Sequence, residues 1–108
     1  MPTALPDAAP ETDVLEEESP PFPPYAVVLH DDDVNTQPFV VAVLVKVFAY
    51  AVDRCVHLMH QAEEHGKVAV WVGPLEVAEL KADQVVGCGP DPFRPGAEPL
   101  RVTVEPVG

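Results

Sequence analysis

YAVVLHDDDVNTQPFVVAVL, Tyr25 to Leu44, is the stretch on which the rest of the chain is read. Val27, Val28 and Leu29 form an apolar run of strand character, which empties into Asp31, Asp32 and Asp33 before the chain turns into an apolar helix. Asn35 is the expected cap of that helix, and Pro38 falls in its first turn, where a missing N–H is harmless. Three adjacent carboxylates repel one another by about 1 kcal/mol per pair at ~4 Å in water. Such a cluster points to a small acidic site for a cation on a strand-to-helix junction; the alternative is a solubilising turn.

Working outward, the first strand covers Tyr25 to His30. The helix that follows, Thr36 to Phe48, places Phe39, Val40, Val43, Leu44, Val47 and Phe48 on one face. A second helix is expected from Val52 to His65, burying Val52, Cys55, Val56, Met59 and Ala62 and stopped by Gly66. Lys67 to Val72 reads as a strand, apolar enough to sit in mid-sheet. Gly73 and Pro74 lead into a third helix, Leu75 to Val86, ended by Gly87. Gly87 to Glu98, broken by Gly89, Pro90, Pro92, Pro95 and Gly96, is a loop. Leu100, Val102 and Val104 alternate with Arg101, Thr103 and Glu105, the pattern of a half-buried strand. The order βααβαβ predicts an α+β fold, a small three-stranded antiparallel sheet packed against three helices.

Ahead of this domain, residues 25–108, lies a segment of different composition. Residues 1–24 carry seven of the 14 prolines and six acids against no base, too polar to offset the entropy of ordering, so they read as a disordered acidic tail. The formal net charge of −12, with six Lys and Arg in all, excludes nucleic acid as a partner and favours a basic or cationic one. Cys55 and Cys88 lack the paired spacing of a zinc or redox motif, and no signal-peptide pattern opens the chain, so both read as reduced cytoplasmic thiols. No apolar run is long enough to span a bilayer.

Enzymatic motifs are missing: there is no glycine-rich phosphate loop and no nucleophile elbow. His57, His60 and Glu64, with Glu63 and His65 nearby, have a helical spacing that can ligate zinc. The same residues serve equally as the solvated face opposite Val56, Met59 and Ala62. Asp31 to Asp33 are no calcium loop, since the alternating ligands, central glycine and closing glutamate are absent.

One further pattern runs through these residues. Tyr25, Leu29, the acids of HDDDVNT, Phe39 to Val41, Val43, Leu44, Phe48, Tyr50, Arg54, Leu58, Met59, Gly66, Lys67, Glu76 to Glu79, Lys81, Pro99 and Leu100 resemble the ClpS adaptor family in order and spacing. The resemblance covers Tyr25 to Glu105, with a longer loop at Gly87 to Glu98. It implies a non-enzymatic cytoplasmic adaptor, without cofactor or metal, that binds proteins beginning with a bulky Leu, Phe, Tyr or Trp. Such an adaptor hands them to a ClpA- or ClpC-type AAA+ unfoldase for degradation by ClpP. It implies an amine cradle of Asp31, Asp32 and Glu63, a side-chain hole of Gln37, Val40, Met59, Ala62 and Leu100 with Asn35 at its rim, and unfoldase contacts at Glu76 and Lys81. The tail would reach toward the unfoldase channel.

Three positions depart from the family pattern: Asp31 stands where Asn is usual, Glu63 where His is usual, and Gln37 where an apolar residue such as Met is common. The cradle is thereby more acidic, and close carboxylates are expected to raise one another's pKa, so that amine binding would weaken from pH 7 toward 5. A polar Gln37 wall favours a side chain that hydrogen-bonds, Tyr or Trp. The alternative is a fold kept for docking on an unfoldase or another protein, with the reading of N-terminal residues lost.

Overall fold

The computed structural model describes residues 23–108, so the expected tail lies outside the described residues except for Pro23 and Pro24. The element order is β1 (Tyr25–His30), α1 (Gln37–Phe48), α2 (Val52–His65), β2 (Lys67–Gly73), α3 (Leu75–Gly87) and β3 (Val102–Pro106). The strands form one antiparallel sheet in the order β2-β1-β3. The expected α+β arrangement of three helices on a three-stranded sheet is therefore the one observed.

β1 is central because four successive residues, Ala26 to Leu29, are buried, and Val27 and Leu29 join the core beneath the helices. The sequence KVAVWV predicts a mid-sheet strand for β2, but β2 is an edge. In it only Val70 is buried, while Ala69 and Val72 face solvent. Its pairing with β1 passes from Trp71 opposite Val27 to Ala69 opposite Val28, leaving Val70 as the extra residue of a bulge. Apolar composition cannot distinguish such a bulged edge from a central strand. β3 likewise starts at Val102 rather than Leu100, which is buried just ahead of the strand.

α1 is capped by Thr36, not Asn35: Thr36 Oγ1 accepts from Phe39 N at 3.4 Å, and the buried Asn35 uses its side chain elsewhere. Val40, Val43, Leu44, Val47 and Phe48 are buried as their spacing predicts. In α2 the buried stripe is Cys55, Leu58, Met59 and Ala62; Val52, expected inside, is 60% exposed, and Val56 is half-buried. That stripe follows the i, i+3, i+4, i+7 rule from Cys55, and Val52 belongs to the unpacked first turn. Gly66 takes the left-handed cap at φ 87 and donates its N–H to Ala62 O at 2.8 Å, as expected. Gly87 does not end α3 in this manner: it is the last helical residue, and the positive φ falls at Gly89.

Tyr50 fixes the α1–α2 corner. Its ring stacks on Phe48 at 5.6 Å, Arg54 lies 3.7 Å above it, and its hydroxyl donates to Val70 O at 2.8 Å. The bulged residue of β2 is thus tied to the helical hairpin, which sets α2 across the sheet. Leu29, Leu44, Leu100, Val27, Val85 and Cys55 are the largest fully buried side chains among the described residues.

Candidate functional site

β1 ends where two other segments converge. His30 N donates to Arg101 O at 3.0 Å and Asp31 N to Gly66 O at 2.9 Å, so the start of the acidic turn is held between the segment before β3 and the C-terminal cap of α2. A pocket of about 300 Å³ opens there, lined by Leu29, His30, Asp31, Asp32, Asn35, Gln37, Val40, Met59, Ala62, Glu63 and Leu100. All nine residues assigned from the sequence to a cradle or a hole lie around this one pocket. Val40, Met59, Ala62 and Leu100 are buried walls that also belong to the main core, so the apolar half of the pocket is as rigid as the fold.

The polar half is a set of satisfied hydrogen bonds. Asp32 Oδ1 accepts from Val34 N at 2.7 Å and Asn35 N at 2.9 Å, and Oδ2 accepts from Asn35 Nδ2 at 2.5 Å. A carboxylate offers about four acceptor sites, so this one keeps a place for a further donor. Glu63 reaches from α2 to α1: Oε2 accepts from Gln37 Nε2 at 2.8 Å, while Oε1 lies 3.3 Å from His60 Nδ1. Two of the three departures, Gln37 and Glu63, are therefore partners across the pocket. Asn35 Nδ2 also donates to Glu98 O at 2.9 Å, and Asn35 Oδ1 accepts from Asp91 N at 2.9 Å.

At Asp32 and Glu63 these donors act against the expected mutual rise of the crowded acids. Burial pushes the Asp32 carboxyl up, but the Asn35 amide, the N–H groups of Asn35 and Val34 and the charge of Arg101 outweigh it and hold the group below its ordinary value. Glu63 is also lowered, chiefly by the Gln37 hydrogen bond and then, against some desolvation, by His60. The sign follows: a carboxyl lowered in the folded state stays ionised from pH 7 to 5, and its contribution is lost only as pH falls through that lower value. Carbon-detected NMR should show Asp32 and Glu63 titrating below the usual carboxyl range, with no loss of amine affinity linked to these two groups between pH 7 and 5. A titration of either above that range would restore the expectation from charge crowding.

The profile of the family described as ATP-dependent Clp protease adaptor protein ClpS matches residues 20–103. The chain belongs to the ClpS adaptor family. It is 35% identical over 104 residues to the ATP-dependent Clp protease adapter protein ClpS of Nitratidesulfovibrio vulgaris, covering 95% of this chain and 100% of that one. The ClpS of Vibrio atlanticus is 31% identical over 103 residues, covering 93% of each chain. The structure of Agrobacterium tumefaciens ClpS2 bound to L-phenylalaninamide aligns with a TM-score of 0.69 at 33% identity, covering 79% of this chain and 98% of that one.

Elsewhere in this ClpS fold, Glu76 is exposed in the first turn of α3, whereas Lys81 is half-buried and donates to Val47 O at 3.1 Å near the end of α1. Among the described residues no three His, Cys, Asp or Glu side chains are placed to hold a metal ion, and His57, His60 and Glu64 stand on the exposed face of α2. No described helix is long and apolar enough to cross a membrane. Sequence reasoning missed Leu29 and His30 as lining residues, Arg101 as the nearby cation, and Asp91 and Glu98 as anchors of Asn35. Only His30 had a local signal, its place between the strand and the acids.

Proposed function

We propose that the protein is a non-enzymatic cytoplasmic adaptor that seats the bulky first residue of a protein substrate in this pocket and delivers it to a ClpA- or ClpC-type unfoldase for degradation by ClpP. The observation that carries the reading is the pairing, in one pocket, of a carboxylate rim of Asp31, Asp32 and Glu63 with a floor of Val40, Met59, Ala62 and Leu100. L-Phenylalaninamide, bound by the related ClpS2, has that dual character: an ammonium, an aromatic side chain, and an amide where a peptide would continue. An N-terminal residue is distinguished from an internal one by its ammonium, and ionised carboxylates supply the charge-assisted acceptors for it.

Peptides beginning with Leu, Phe, Tyr, Trp or Arg, each with a free and an acetylated amine, provide the test. Acetylation removes the charge and should weaken binding of the bulky residues by at least about a hundredfold, the value of two charge-assisted hydrogen bonds. Equal affinity for free and acetylated peptides would favour a ClpS fold that docks on its unfoldase without reading N-termini.

For the unfoldase, α3 is the surface supported by its own burial. Only Ala78 and Val85 are buried in it, while Leu75, Val77, Leu80 and Val86 stay exposed beside Glu76. Lys81 is a mixed case, because Lys81→Glu removes the cation and also frees Val47 O. Glu76→Lys should weaken unfoldase binding and, as a charge reversed in the first turn of α3, cost a few tenths of a kcal/mol, whereas Lys81→Glu should weaken it and cost about 1 kcal/mol of stability. Full unfoldase affinity in both variants would place the contact elsewhere.

A further inference from the structure

Asp91 is the one charged side chain that is fully buried among the described residues, at 2% exposure. It sits in the loop between α3 and β3, yet its contacts reach the start of α1. Oδ2 accepts from Thr36 N at 2.9 Å and Thr36 Oγ1 at 2.6 Å, and Oδ1 accepts from Phe93 N at 2.9 Å. A carboxylate leaves water only when such donors replace its hydration. The side chain thus clamps the loop onto the residue that caps the helix.

The same clamp brings the Asp91 backbone N–H to Asn35 Oδ1, 2.9 Å away. With its oxygen committed there, the buried Asn35 amide must present its NH2 group the other way, to Asp32 Oδ2 and Glu98 O. A reversed amide would set its oxygen against the Asp32 carboxylate and the Glu98 carbonyl, and its NH2 against the Asp91 N–H. One orientation satisfies every group, and the Asp91 N–H selects it together with Asp32 and Glu98.

We propose that Asp91 is a positioning residue for the amine site: by clamping its loop onto Thr36 it fixes the Asn35 amide, and through that amide it aims the Asp32 carboxylate. The link to amine binding rests on the function proposed above. It extends the site from the acidic turn into a loop more than fifty residues away in sequence.

Asp91→Ala, Asn35→Ala and the double variant test this, in the full chain. Each single variant should lower affinity for a free-amine Phe peptide by about tenfold, one charge-assisted link. Each should also raise the Asp32 titration toward the ordinary carboxyl range in carbon-detected NMR. His30, Asp31, Asp33, Glu63, Arg94, Glu98 and Arg101, which share the pockets around Asp32, are unchanged in all variants, and the carboxylate lost in Asp91→Ala would by itself lower Asp32, so a rise reports the amide. The double variant should be no worse than Asn35→Ala alone, because both substitutions break one chain of contacts. An unchanged Asp32 titration in folded Asp91→Ala, or additive losses, would overturn the proposal and leave Asp91 a loop anchor. If Asp91→Ala does not fold, Asp91→Asn, which keeps one acceptor oxygen for Thr36, takes its place in both measurements. A shifted Asp32 in a protein with no amine-dependent binding would uphold the positioning link and sink the amine reading alone.

Discussion

Asp32→Ala is expected to lower affinity for a peptide with a free, bulky first residue by about a hundredfold and to destabilise the fold by about 2 kcal/mol. The two losses have one origin. The carboxylate accepts from Val34 N, Asn35 N and Asn35 Nδ2, and Asn35 is buried, so truncation leaves donors in the turn without partners. The remaining acceptor position is the one an ammonium can use. Asp32→Asn separates the effects: it keeps an acceptor for the backbone donors but removes the charge and sets one NH2 against another at Asn35. It should cost less stability than the alanine variant while losing nearly as much affinity. Urea denaturation followed by Trp71 fluorescence, with peptide anisotropy, reads both quantities. A folded Asp32→Asn protein with full affinity would remove Asp32 from the amine site.

The parts of this molecule that sequence reveals are those fixed by local pattern. Tyr25–His30 and Val52–His65 fall where the apolar run, the helical spacing and Gly66 put them, because the pattern that marks each is complete within the segment itself. The pocket residues were legible through family resemblance, since Gln37, Met59 and Leu100 have no periodic signal that would group them. What was illegible is settled by partners far away in the chain. Asn35 looks like a helix cap in isolation, but Asp91 and Glu98 draw its side chain inward and Thr36 takes over the capping. β2 has the composition of a buried strand, and only the sheet order makes it an edge. The acids look mutually repulsive in the sequence, yet at Asp32 and Glu63 the hydrogen-bond donors supplied by the fold outweigh the opposing burial, and charge counting can see none of them.

The apolar wall should show the largest change in selectivity, with opposite signs at two neighbouring positions of α2. Met59 and Ala62 are both buried, lie one turn apart and line the same pocket of about 300 Å³. Met59→Ala removes wall contacts worth on the order of 2 kcal/mol to a bound Leu or Phe, a loss of roughly thirtyfold. A Trp peptide, large enough to refill the space, should lose much less. Ala62→Leu occupies the hole instead, so Trp and Phe should lose roughly five- to a hundredfold, since overpacking a close-packed site costs about 1 to 3 kcal/mol. Both variants also lose stability, because the two side chains belong to the main core. A general fold defect would weaken every peptide alike, whereas a change in pocket volume reverses the Trp-to-Leu ratio between the variants. The ratio of free-amine to acetylated binding should meanwhile remain as in the parent, since Asp31, Asp32 and Glu63 are untouched. Titrating the same labelled peptides into each folded variant gives these ratios, and a Trp-to-Leu ratio that moves in the same direction in both would show that the side chain is bound elsewhere.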